Sequence, residues 1–168
     1  MTCGADHVDR IQAEWRRERP DIDPSPQGVF GRLFRLTATL SARISAVHEA
    51  HGLTEGEFDV LCALRRAGAP YERQPAELAR TTMITTGGLT KRLDRLEAAG
   101  LVERAPSSSG DGRAKMARLT ETGLRVIDAA FTDHMANESR LIALLGSGDQ
   151  ASLEKALRSW ASALDAEA

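Results

Sequence analysis

Aromatic residues are scarce: Phe, Trp and Tyr make up only 4% of the 168 residues, so the core has to be assembled from Leu, Ile, Val and Ala. That composition suits packed helices. No apolar run approaches the roughly 18 residues of a membrane span. The opening MTCGADHVDR has no apolar signal region. A cytoplasmic chain with no membrane partner is therefore expected. Cysteine is limited to Cys3 and Cys62. Cys62 stands beside Leu61 on a helical stripe, where a thiol ordinarily behaves as a small hydrophobe; redox sensing is the alternative. His48 and His51 are three apart near a helix end, but no third ligand of suitable spacing lies nearby, so they read as surface or interface histidines and no metal is expected. The chain also lacks G-x-G-x-x-G, a P-loop, HExxH and a nucleophile elbow. An enzyme has little support on that ground, and no cofactor is expected.

What the chain does contain is concentrated between Gln74 and Thr120, in QPAELARTTMITTGGLTKRLDRLEAAGLVERAPSSSGDGRAKMARLT. Pro75 suits the first position of a short helix, because its missing N–H has no partner there anyway. A second helix is predicted from Ile84 to Ala99, with Leu89, Leu93 and Leu96 spaced to pack inward. Thr81-Thr82-Met83 between them is the length of a helix-turn-helix turn. Gly100 stops the second helix. Residues 101–104 and 116–119 then read as strands around a Ser/Gly-rich tip. The expected fold is mainly α with a small β-hairpin wing (α+β), a winged helix-turn-helix with N- and C-terminal dimerisation helices.

Charge sharpens this reading. The whole chain carries −2, yet residues 73–118 hold nine Lys/Arg against five acids, which leaves the remainder at −6. A basic island in an acidic frame focuses attraction for phosphate on one face.

Outside this unit (residues 53–119), the pattern is helical. Residues 1–26 hold an extra helix carrying Val8, Ile11 and Trp15, then the linker DIDPSP. Residues 27–52 carry Val29, Leu33, Leu36, Leu40, Ile44 and Val47 at threes and fours, a seam for packing along other helices. Thr54 and Glu57 form a capping box for the next helix, whose buried face is Phe58, Leu61, Cys62 and Leu64, with Asp59 off that face. Residues 120–168 give a helix to about Leu145 and a last one with the stripe Leu153, Leu157, Trp160 and Leu164. A monomer would leave such stripes partly bare, so a two-fold dimer using both chain ends is expected.

Counting about 100° per residue, Gly87, Thr90 and Lys91 face away from Leu89. The first turns of a recognition helix enter the major groove, so Thr85, Thr86, Gly87, Thr90 and Lys91 are candidate DNA contacts. Arg95 and Lys115 are candidates for phosphate, and Arg113 at the wing tip for the minor groove or simple solvation. Arg92 falls about 60° from the inward stripe, at the edge of the core, where a cation needs an anion. Asp59 could supply it as a purely structural ion pair.

In order and spacing, LTEGEFDVLCALRRAG, PAELARTTMITTGGLTKRLDRLEAAGLVER, the DGR at Asp111–Arg113 and LTETG at Leu119–Gly123 resemble the MarR family of dimeric winged-helix repressors, over roughly residues 27–165. Lys91 stands where that family often has Asn. Trp15, Asp59, Arg92 and Arg104, in the contexts AEW, EFDVL, KRLDRL and LVER, are similar to the urate-responsive, PecS-like branch. The resemblance implies a homodimer on a pseudo-palindromic operator, released when those four residues take a small anion: a purine such as urate, or a tricarboxylate such as trans-aconitate or citrate. It further implies that the four line one crevice, with Asp59 as the counter-charge of an arginine. A ligand-blind DNA binder remains the other reading.

Overall fold

The computed structural model describes residues 4–82, 88–106, 115–146 and 148–167. They form α1 (His7–Glu18), α2 (Gln27–Ala50), α3 (Glu55–Arg65), β1 (Glu72–Arg73), α4 (Pro75–Thr81), α5 (Leu89–Ala98), β2 (Val102–Pro106), β3 (Lys115–Leu119), α6 (Glu121–Ile142) and α7 (Asp149–Glu167). The chain divides into two compact units, Met1–Ala46 and Val47–Ala168.

In the first unit, α1 starts at a complete capping box. The Asp6 carboxylate accepts from the N–H groups of Val8 and Asp9, and Asp9 returns the bond to Asp6 N–H. Arg32 of α2 then grips both acids, at 3.0 Å to Asp6 and 2.7 Å to Asp9. Its own helix supplies a third acceptor, the Gly28 carbonyl at 2.9 Å. Gly31 lets Val8 pack close to the backbone of α2, since a Cβ there would lie 3.2 Å from a Val8 methyl. Buried Gln12 closes the linker by donating to the Pro24 and Ser25 carbonyls.

The second unit is built around α3, which is buried from Gly56 to Leu64. The predicted Thr54/Glu57 capping box is present. Asp59 is nonetheless buried at 7% exposure, not solvated as the one-sided helix pattern implied, because neighbouring elements cover α3 on every side. Leu61, Leu64, Leu78, Leu96 and Ile127 are the largest apolar side chains sealed in this core. His48 is buried as well, contrary to the surface reading, with its ring stacked on Phe58 at 4.0 Å between centroids.

The wing is a three-stranded antiparallel sheet in the order β1-β3-β2, one strand more than the hairpin the sequence predicts. The two-residue β1 is too short to leave a periodic signal. The register places Glu72, Arg118 and Glu103 in one row across the three strands. Arg118 bonds to Glu72 at 2.6 Å and approaches Glu103 at 3.5 Å, tying the sheet together by charge. In the second helix of the helix-turn-helix, Gly88 has φ +84, outside the helical region, and α5 runs from Leu89; the predicted start at Ile84 lies outside the described residues. Helix α6 ends at Ile142, three residues before the predicted Leu145.

Candidate functional site

Helix α5 turns Leu89, Leu93 and Leu96 toward the core. At about 100° per residue this leaves Lys91 opposite, with Thr90 and Asp94 to one side of it and Arg95 to the other. All four are exposed. Lys115 is exposed at the first position of β3, paired in register with Pro106. Thr85, Thr86, Gly87 and Arg113 lie outside the described residues. The described part of the predicted DNA face is therefore one outward helix surface and the root of the wing.

Three arginines fasten that surface to its surroundings. The Arg92 guanidinium lies on Gly56 of α3, where an added Cβ would sit 2.8 Å from Cζ. Only glycine at 56 permits this approach. Asp59 follows Gly56 by three residues, on the same side of α3. Arg95 donates from Nε to Glu57 Oε1 at 2.7 Å, joining α5 to the first turn of α3. Arg104 of β2 reaches across to α5, hydrogen-bonded to Asp94 and 3.6 Å from Glu97. Among the described residues, the carboxylates holding Arg104 are therefore those of α5 and not Asp59. Trp15 belongs to the first unit and is 48% exposed on α1.

Burial alone would push the Glu57 carboxyl up. The Thr54 backbone N–H and hydroxyl, together with Arg95, more than offset this and hold it below the usual carboxylate range. Cys62 goes the other way. Its buried thiol is pushed up to about 11, which removes the thiolate that oxidant chemistry needs at neutral pH. Cys3 lies outside the described residues.

Sequence reading named Arg95 and Arg104 but missed the carboxylates that they bond. Glu57 was fully accounted for as a helix cap, and it is 38 residues from Arg95 in the chain. Asp94 and Glu97 stand on a different element from Arg104, a pairing that no helical or strand period marks. In the stripe predicted for the dimer, Leu153, Leu157 and Leu164 are exposed and Trp160 is half-buried, and α7 buries no residue.

A model of the MarR family matches residues 51–114, the span from just after α2 through β2, ending before β3. The chain is 38% identical over 135 residues to the HTH-type transcriptional regulator PecS of Dickeya dadantii, covering 80% of this chain and 81% of that one. Among solved structures, AbsC, a MarR family transcriptional regulator from Streptomyces coelicolor, superposes with a TM-score of 0.72 at 27% identity, over 86% of this chain and 97% of its own. The MarR family protein Rv2887 of Mycobacterium tuberculosis, in complex with salicylic acid, superposes with a TM-score of 0.59 at 31% identity, over 79% and 95%. An outward basic helix braced against a three-stranded wing, and identity of this extent across both units, have one explanation: the chain belongs to the MarR family of winged helix-turn-helix transcriptional regulators, on the branch that includes PecS.

Proposed function

We propose that this regulator is a homodimeric repressor that leaves a pseudo-palindromic operator when a small anion arrives. DNA is met by Thr85, Thr86, Gly87, Thr90, Lys91 and Arg95 in the major groove and on phosphate, and by Arg113 and Lys115 from the wing. Trp15, Asp59, Arg92 and Arg104 are the effector-responsive residues. The observation that carries this reading is the position of Arg104. It joins the wing to the recognition helix through Asp94 and Glu97 on α5. An anion that takes this guanidinium in charge-assisted hydrogen bonds leaves two acids on α5 unneutralised and unties wing from helix. Since Arg92 also belongs to α5, an anion there acts on the same element. A coupling of ~1–3 kcal/mol between the two sites corresponds to DNA binding weakened ~5–150-fold. Urate, trans-aconitate and citrate are all anions that two arginines can take in charge-assisted hydrogen bonds.

The test is a panel of urate, xanthine, trans-aconitate, citrate and salicylate. Each is scored by the melting midpoint of the protein and by its affinity for a duplex that the protein selects from a random pool. A native-state ligand raises the midpoint by mass action. The active anion should act on wild type and lose most of its effect on Trp15→Ala, which keeps operator binding, and on Arg104→Ala, which lacks the tie to Asp94 and Glu97 and therefore starts from weakened operator binding. If no anion changes the midpoint or the affinity, the chain is a ligand-blind DNA binder. If an anion acts equally on wild type and on the double variant, the sensor lies elsewhere.

A further inference from the structure

Glu57 occupies an unusual position for a helix cap. Its side chain is only 10% exposed, and each of its oxygens has a separate task. Oε2 accepts the backbone N–H of Thr54 at 2.9 Å and the Thr54 hydroxyl at 2.8 Å. Oε1 accepts Nε of Arg95 at 2.7 Å. The carboxylate is thus fixed to the backbone at the start of α3, the most buried helix of its unit, and holds an arginine of the recognition helix by one edge. The Arg95 side chain is 49% exposed and leaves α5 beside Lys91 on its outward face. Bonding through Nε leaves further N–H donors of the planar guanidinium for a second anion. We propose that Glu57 is a positioning residue of the DNA interface: it holds the Arg95 guanidinium at a fixed angle so that the remaining N–H groups meet one DNA phosphate, and thereby sets the register of α5 in the groove. This rests on the reading of Arg95 as a DNA contact.

The energetic logic separates positioning from attraction. A carboxylate beside Arg95 subtracts from its pull on phosphate, so Glu57 reduces general electrostatic affinity. What it adds is placement, and phosphate contacts placed at fixed points are what lock a protein's register and orientation on duplex DNA. Glu57→Gln keeps the shape, and Gln also serves in capping boxes, so α3 should still form. The buried charge is lost, and Arg95 is free to move.

The experiment compares two duplexes by fluorescence anisotropy: one selected by the wild-type protein from a random pool, and a shuffled duplex of the same composition. Glu57→Gln should bind the selected duplex about tenfold more weakly, the loss expected for one hydrogen bond to a charged group, while binding the shuffled duplex at least as well as wild type. Arg95→Lys, altered only at a half-exposed site, should show the same loss of preference, because an ammonium cannot hold Glu57 and a phosphate in one plane. The double variant should be no worse than Arg95→Lys alone. Equal weakening on both duplexes would mark Glu57 as a purely structural cap. An unchanged preference, or additive losses, would overturn the pairing as a positioning device. If Arg95→Ala leaves the salt dependence of binding unchanged, where loss of one phosphate contact lowers the slope by about one unit, Arg95 does not touch DNA and the underlying reading fails instead. If wild type selects no duplex at all, the fault lies in the DNA-binding reading, whatever Glu57 does.

Discussion

Gly123 stands in the first turn of α6, where an added Cβ would lie 2.8 Å from the Leu101 carbonyl carbon and closer still to its oxygen. The same carbonyl accepts Thr120 N–H at 3.1 Å, and the Thr120 hydroxyl donates to Gly100 O at 2.7 Å. The root of the wing and the start of α6 are therefore locked backbone to backbone, which is the physical content of the LTETG motif. Gly123→Ala should destabilise the protein by about 1–3 kcal/mol, toward the upper end because backbone and not a side-chain tip must yield; urea unfolding measures it. His48 makes a separate demand. It is buried, with Nε2 3.2 Å from His134 Nδ1, and its own Nδ1 has no hydrogen-bond partner among the described residues. Burial first, then the nearby His134 and His51, push its pKa below the ordinary value. Asp133 and Glu138 face this cluster through His51 and His134 and not through His48 itself. A depressed folded-state pKa means that the unfolded chain takes the proton more readily. The stability contributed by neutral His48 is present above its unfolded pKa, about 6.5, and is lost as pH falls below that value toward the folded pKa. The melting midpoint should therefore drop on acidification from neutral pH more steeply in wild type than in His48→Phe; parallel curves would show that another group governs the acid limb.

At the scale of elements, the legible parts were those whose apolar residues recur on one face, whether that face is buried as in α5 or exposed as at Val29, Leu36 and Leu40 of α2. The seam of α2 and the stripe of α5 repeat at threes and fours, and Thr54 and Thr120 announce the next helix starts by their side-chain chemistry. Helix α3 was legible as a helix but not in its burial, because a helix covered all round gives no polar face to contrast with. That is why Asp59 read as solvated. Strand β1 was illegible at two residues, although Glu72 carries the charge row that binds all three strands. In the candidate site the cations were legible and the partners of Arg95 and Arg104 were not, since those ion pairs between α3, α5 and β2 join residues 7 to 38 apart in the chain. Helix α1 offers an element-scale test. Its capping acids both bond to Arg32 and lie below the usual carboxylate range, Asp6 chiefly through the Asp9 backbone N–H and then Arg32, Asp9 chiefly through Arg32. Arg32→Ala should remove α1's tie to α2 and speed amide hydrogen exchange throughout residues 8–18, while β2 and β3 keep their protection. Uniform loss of protection across the chain would instead mean that Arg32 supports global stability.

At the scale of the molecule, the distribution of apolar surface asks for a second copy. In the second unit Phe131, Met135, Ile142, Leu144 and Leu145 near the end of α6 are exposed, as are Leu153, Leu157 and Leu164 on α7. A nineteen-residue helix that buries none of its residues gains little from folding in isolation, because tertiary packing, not propensity, supplies most helix stability. Exposed apolar area of this extent on a regulator is best covered by the same surface of a partner, which two-fold symmetry makes self-complementary. In the proposed dimer, two recognition helices meet half-sites about one helical turn apart, and one alone forfeits half of the contacts. Leu157→Glu with Trp160→Glu places two charges in the centre of the α7 stripe. Sedimentation velocity should then show a monomer or aggregate, and affinity for the selected duplex should collapse. Lys155→Glu is the matched control. It lies about 170° around α7 from the centre of that stripe, so it should leave both the dimer and the affinity intact. If the double variant still sediments as a tight dimer, α7 is not its interface. If Lys155→Glu dissociates the dimer as well, the effect follows added charge rather than position.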